Sequence, residues 1–159
     1  MKIRSFTLVL VILLLAVPSV ALAANAHFVS ATGAVNTSGA LVVNFKEAGL
    51  GGGQTIHYTL DASATAVWGC INKGGNHPQA SNKETVAGPV LGTGSFTAAK
   101  NGNIAASITA GPLPMPPGFS CSGKMVIALV SVSYSNIVLT DTITPVSVSI
   151  PSVSRVFYQ

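Results

Sequence analysis

The chain reads as an all-β protein, an antiparallel immunoglobulin-like β-sandwich of seven to eight strands held by one disulfide. Three observations predict this. Apolar and polar residues alternate at period two in run after run, and no stretch has convincing helical periodicity. Turn-forming residues separate the runs at short intervals. The two cysteines, Cys70 and Cys121, both lie far beyond an N-terminal export signal. A small barrel is the alternative arrangement of the same elements.

The longest alternation sets the pattern. Ile56, Tyr58, Leu60, Ala62, Ala64, Ala66, Trp68 and Cys70 fall on one face, and Thr59, Asp61, Ser63 and Thr65 fall on the other. Leu41, Val43 and Phe45 alternate with Val42 and Asn44, and Ile104, Ala106, Ile108 and Ala110 with small or hydroxyl residues. Val130, Val132 and Tyr134 continue as Ile137 to Thr142 with the apolar parity shifted at Asn136, which predicts a bulge or turn there. Val146, Val148 and Ile150 give a further strand. Weaker runs span Phe28 to Val35 and Thr85 to Ala98.

The connections carry their own chemistry. Thr37-Ser38-Gly39, the glycines of Gly49 to Gly53, and Asn72 to Asn76 mark turns and loops. Asn101-Gly102 is a hairpin signal, because both residue types tolerate positive φ. Gly111 to Gly118 holds four prolines and is excluded from a central strand.

The N-terminus points to secretion. Lys2 and Arg4 precede an apolar run from Phe6 to Val17, then Pro18, Ser19 and a series of alanines. That order of charge, apolar core and small residues is a signal peptide. The run is shorter than the roughly 20 residues that span a bilayer. Residues 1–23 are therefore expected to be removed, with cleavage possible as late as residue 26, leaving one domain over 27–159 with no membrane span. An uncleaved N-terminal anchor is the alternative. The mature part keeps six of the eight basic residues and all four acidic ones. The six cations are scattered, which argues against a nucleic-acid partner.

In an oxidising compartment the even cysteine count reads as a Cys70–Cys121 bridge. It would pin two loops, Ile71 to Glu84 and Gly111 to Gly123, at one end of the sandwich. The bridge either supports a binding surface or compensates for an Ala- and Ser-rich core.

A set of short motifs spans nearly the whole mature part: Asn25-Ala26-His27-Phe28, Phe45 with Gly49-Leu50-Gly51, Cys70 and Asn72 with Gly74-Gly75 and Pro78, Asn101-Gly102, Pro117 with Cys121, and Val132-Ser133-Tyr134. Jointly they resemble a family of small secreted bacterial proteins with no established activity. The resemblance implies export, a compact β domain and pairing of the two cysteines; it implies no mechanism.

No catalytic constellation is visible. The carboxylates available to a hydrolase are Glu47, Asp61, Glu84 and Asp141, and a glycosidase needs two facing each other across a cleft. Asp61 is placed on a polar strand face and Glu84 in a loop. There is no G-x-S-x-G elbow, and the run Gly49 to Gly53 lacks the Lys-Ser/Thr of a phosphate loop. Copper is the one cofactor alternative. If cleavage follows Ala26, His27 offers its amine and imidazole to a metal, as in some secreted copper β-sandwiches, with His57 or His77 as a further ligand. The bland alternative makes His27 and His57 ordinary strand residues and His77 a loop residue.

For glycan binding the chain would need exposed aromatics. Trp68, Tyr58 and Tyr134 are all assigned to inner faces, which leaves Phe157 and Tyr158 as free aromatics. Asn36-Thr37-Ser38 matches a glycosylation sequon. The reading that fits best is a secreted, extracellular, non-catalytic protein. It acts by binding an extracellular partner or glycan, or by self-association, through a low-charge hydroxyl-rich β surface. A copper-binding protein is second, and a carbohydrate-binding or hydrolytic module third. No ligand-binding residues are identified.

Overall fold

A computed structural model describes residues 25–72, 74 and 82–159. Residues 1–23, expected from the sequence to be a signal peptide, and His77 lie outside them. Eight strands are formed among the described residues: β1 (His27–Val35), β2 (Leu41–Ala48), β3 (Thr55–Ile71), β4 (Lys83–Thr97), β5 (Ile104–Ala110), β6 (Val126–Asp141), β7 (Ser147–Ile150) and β8 (Val153–Val156). They make two antiparallel sheets. One has the order β1-β2-β5; the other has β4-β3-β6, with β7 and β8 sharing the far edge of β6.

The period-two alternation places the core between the sheets. The face of β3 that carries Ile56, Tyr58, Leu60, Ala62, Ala64 and Ala66 is buried throughout. It meets Leu41, Val43 and Phe45 of β2 and Ile104, Ile108 and Ala110 of β5. Phe28, Phe45, Tyr58 and Phe96 form an aromatic cluster drawn from four strands, with ring centroids 4.7–6.4 Å apart. Trp68 is half-buried and packs against the same core.

The parity shift at Asn136 is a bulge. Asn136 has φ of 50°, a left-handed conformation that Asn tolerates better than most residues. Two steps along β3, from Asp61 to Ser63, are matched by three along β6, from Val138 to Ser135. Val132 and Tyr134 are therefore buried on one side of the bulge and Ile137 and Leu139 on the other. The extra residue keeps the apolar set facing inward on both sides of it, from Val132 to Leu139.

Two expectations need correction. Glu84 is in β4 rather than a loop, opposite Trp68. Pairing with the long β3 draws Lys83 and Glu84 into the ladder. The C-terminal tail is also not free. Pro151 breaks the chain after β7, β8 then pairs with β6, and Phe157 packs half-buried on the core beneath the Arg155 guanidinium, 5.1 Å from its ring centroid.

Where β4 runs past the other sheet, the two come close together. A Cβ built on Gly92 would lie 2.6 Å from the carbonyl oxygen of Thr109 in β5. Only glycine permits that approach.

Candidate functional site

The carboxylates that meet are Glu47 and Asp141. They come from opposite sheets and are completely buried. Glu47 follows Leu41, Val43 and Phe45 on the inner parity of β2; Asp141 follows Ile137 and Leu139 on that of β6. That parity was the available signal, but a polar residue does not extend an apolar count. Tyr58 donates from its hydroxyl to Glu47 Oε2 at 2.6 Å. Asp141 Oδ1 accepts from the backbone N–H of Ile143 (2.7 Å) and Thr144 (3.1 Å), and Oδ2 accepts from the Thr144 hydroxyl. Glu47 Oε1 has no donor.

Burial raises the pKa of Glu47, and the neighbouring Asp141 carboxylate raises it further. The Tyr58 hydrogen bond and the charge of His27 act in the opposite sense. Both carboxylates are fully buried between the sheets, whereas a glycosidase pair faces a cleft. Asp61 and Glu84 stay apart. Asp61 points outward on β3 between Leu91 and Val138, and Glu84 is exposed on β4 beside Trp68.

The two described histidines lie in different sheets. His27 opens β1 in the three-stranded sheet, its Nδ1 2.7 Å from the Asn25 carbonyl oxygen. His57 is on the outward face of β3, its Nδ1 2.6 Å from the Ser95 hydroxyl. Among the described residues no three His, Cys, Asp or Glu side chains are grouped to hold a metal ion. The sequon residue Asn36 has a local task. Its Oδ1 accepts from the N–H and hydroxyl of Ser38 and from the N–H of Ala40, which holds the β1–β2 turn.

The cysteines are joined. Cys70 at the end of β3 and Cys121 in the segment before β6 form a disulfide with Cα atoms 5.6 Å apart. The bridge ties the proline-rich segment to the core strand that carries Trp68.

The outward face of the larger sheet is rich in hydroxyls. Thr59 is flanked by Thr93 and Thr140, and Thr140 by Ser147. Ser63 is beside Ser135, and Thr65 is beside Ser133, itself paired with Ser154. Thr55 faces Thr97, and His57 faces Ser95. Across a sheet such neighbours stand about 4.8 Å apart. Asp61 is the only Asp, Glu, Lys or Arg in these rows between Thr55 and Val67. The large aromatics Tyr58, Tyr134 and Phe45 are turned to the interior, so the face offers hydroxyls rather than stacking platforms. Comparison with protein-family models, with curated proteins and with solved structures finds no match to this chain.

Proposed function

We propose that this is a secreted, non-catalytic β-sandwich that acts at or outside the cell surface, by binding or assembly through the hydroxyl face of its larger sheet. The observation that carries the reading is that face: several strands wide, rich in Thr and Ser, with Leu91 and Val156 exposed among them, and nearly without charge. A neutral hydroxyl surface offers many hydrogen bonds and no ion pairs. It suits an uncharged polar partner such as a glycan polymer or a second copy of the chain. The fold is best described as immunoglobulin-like, with its fourth strand moved to the second sheet, since the order β1-β2-β5 against β4-β3-β6-β7 follows from that one change.

Export fits a mature chain that begins at Ala24. Ala26 packs on the core, and a Cβ on Gly49 would collide with the Asn25 carbonyl. Both residues would be lost if cleavage followed Ala26. The copper alternative needs His27 at the amino terminus. Intact mass of the secreted protein separates the two starts.

The binding reading is tested by co-sedimentation with insoluble neutral polysaccharides and by sedimentation velocity of the protein alone. Wild type is expected to pellet with a polysaccharide or to self-associate, and the outward substitutions Thr59→Lys and Ser133→Lys to abolish either behaviour. A monomer that no polysaccharide retains, or variants that behave as wild type does, would overturn it.

A further inference from the structure

We infer that Glu47 and Asp141 hold one proton between them, and that this proton latches the two sheets together at one end of the sandwich. The latch is closed at acidic pH and loosens as the medium becomes alkaline.

The geometry assigns the proton. Asp141 already accepts three hydrogen bonds, from the N–H of Ile143 and the N–H and hydroxyl of Thr144. Glu47 receives one, from Tyr58, and its Oε1 is buried with no donor. Two ionised carboxylates buried side by side would repel strongly, and Oε1 would remain unsatisfied. A proton on Oε1 removes both problems, because Glu47 then donates to Asp141. The resulting chain runs from Tyr58 in β3 through Glu47 in β2 to Asp141 in β6, crossing from one sheet to the other and back.

The surrounding elements supply little else that titrates. β1 brings His27, whose positive charge would favour an ionised Glu47. β5 brings Ile104, paired with Glu47; β4 brings Phe96 to the same aromatic cluster. The segment after β6 brings the Thr144 hydroxyl. The sign follows from linkage. The folded-state pKa of Glu47 is raised, so its contribution to stability is complete below the unfolded carboxylate range. That contribution is lost as pH rises through the folded value. Ionisation leaves two facing negative charges, and the end of the sandwich relieves them by parting β2 from β6.

The experiment measures the denaturant midpoint of the mature protein across acidic to mildly alkaline pH, for wild type and for Glu47→Gln. The amide keeps an acceptor for Tyr58 and a donor for Asp141 without a titrating proton. Wild type is expected to lose stability relative to the variant as pH rises, with the difference flat at the acidic end. A pH-independent difference would overturn the inference. Infrared spectroscopy of the wild type supplies a second readout that needs no variant. A protonated-carboxyl C=O band should persist above the ordinary carboxylate range and vanish on further titration; its absence there would overturn the inference. Calcium is the control: stabilisation by added calcium at neutral pH, reversed by chelator, would assign the pair to a metal ion and overturn the shared proton.

Discussion

The phenolic oxygen of Tyr58 is 2.6 Å from Glu47 Oε2, and this one hydrogen bond joins the two sheets at the centre of the aromatic cluster. Tyr58→Phe preserves the ring packing and removes the donor. The variant is expected to lose about 1–3 kcal/mol, because a buried carboxyl oxygen is left without a partner. Urea unfolding of the two proteins measures it. A loss close to zero would mean that water reaches Glu47 and replaces the hydroxyl.

Alkaline titration should show the same burial. The pKa values of Tyr58 and Tyr134 are both raised, chiefly by desolvation, with the Glu47 hydrogen bond adding to the effect at Tyr58. A raised tyrosine stabilises the fold below its unfolded value of about 10 and ceases to do so as pH climbs above it. In phenolate absorbance after a rapid pH jump, the two buried hydroxyls should appear only as the domain unfolds. Immediate ionisation of Tyr58 and Tyr134 would contradict their burial.

Tyr134 fastens the opposite end. Its hydroxyl donates to the Gly39 carbonyl in the β1–β2 turn at 2.7 Å. Gly39 itself has φ of 88°, and a Cβ there would strike the Leu129 side chain. Tyr134→Phe should cost about 1–2 kcal/mol. Gly39→Ala should cost more, since it adds left-handed strain to a clash. Thermal unfolding of both variants should rank them in that order.

Reduction of the Cys70–Cys121 bridge frees a loop whose ends are 51 residues apart. The chain-entropy argument gives a loss of about 4 kcal/mol. Denaturant unfolding of a Cys70→Ser/Cys121→Ser double variant checks it. An unchanged midpoint would mean that the proline-rich segment docks equally well without the bond.

Much of this architecture can be read from the amino-acid order, and the parts that cannot share a cause. The inner face of β3 and the shifted parity at Asn136 follow directly from apolar periodicity, because both concern which side of a strand is greasy. β8 has no such pattern. Val153 and Val156 are separated by Ser154 and Arg155, and the strand exists because β6 extends past β7 and leaves an edge to pair. The same limit hid the Glu47–Asp141 pair. Each carboxylate occupies an inner position of its own strand, but only the packing of two sheets reveals that the positions coincide. The hydroxyl face required the register as well: Thr59, Thr93 and Thr140 are scattered along the chain and become neighbours only when β4 and β6 align on β3.

Gly92 has a consequence for how the molecule keeps to itself. β4 is a long outer strand, and such strands invite pairing by other chains. At Gly92, opposite the buried Leu60, the inward side of the strand rests directly on the backbone of β5, which holds β4 against its own molecule. A side chain at that position would lift β4 away and present a longer unpaired edge. The missing methyl group thus works as a guard against polymerisation, and a substitution as small as Gly92→Ala should make the protein more prone to form fibrils.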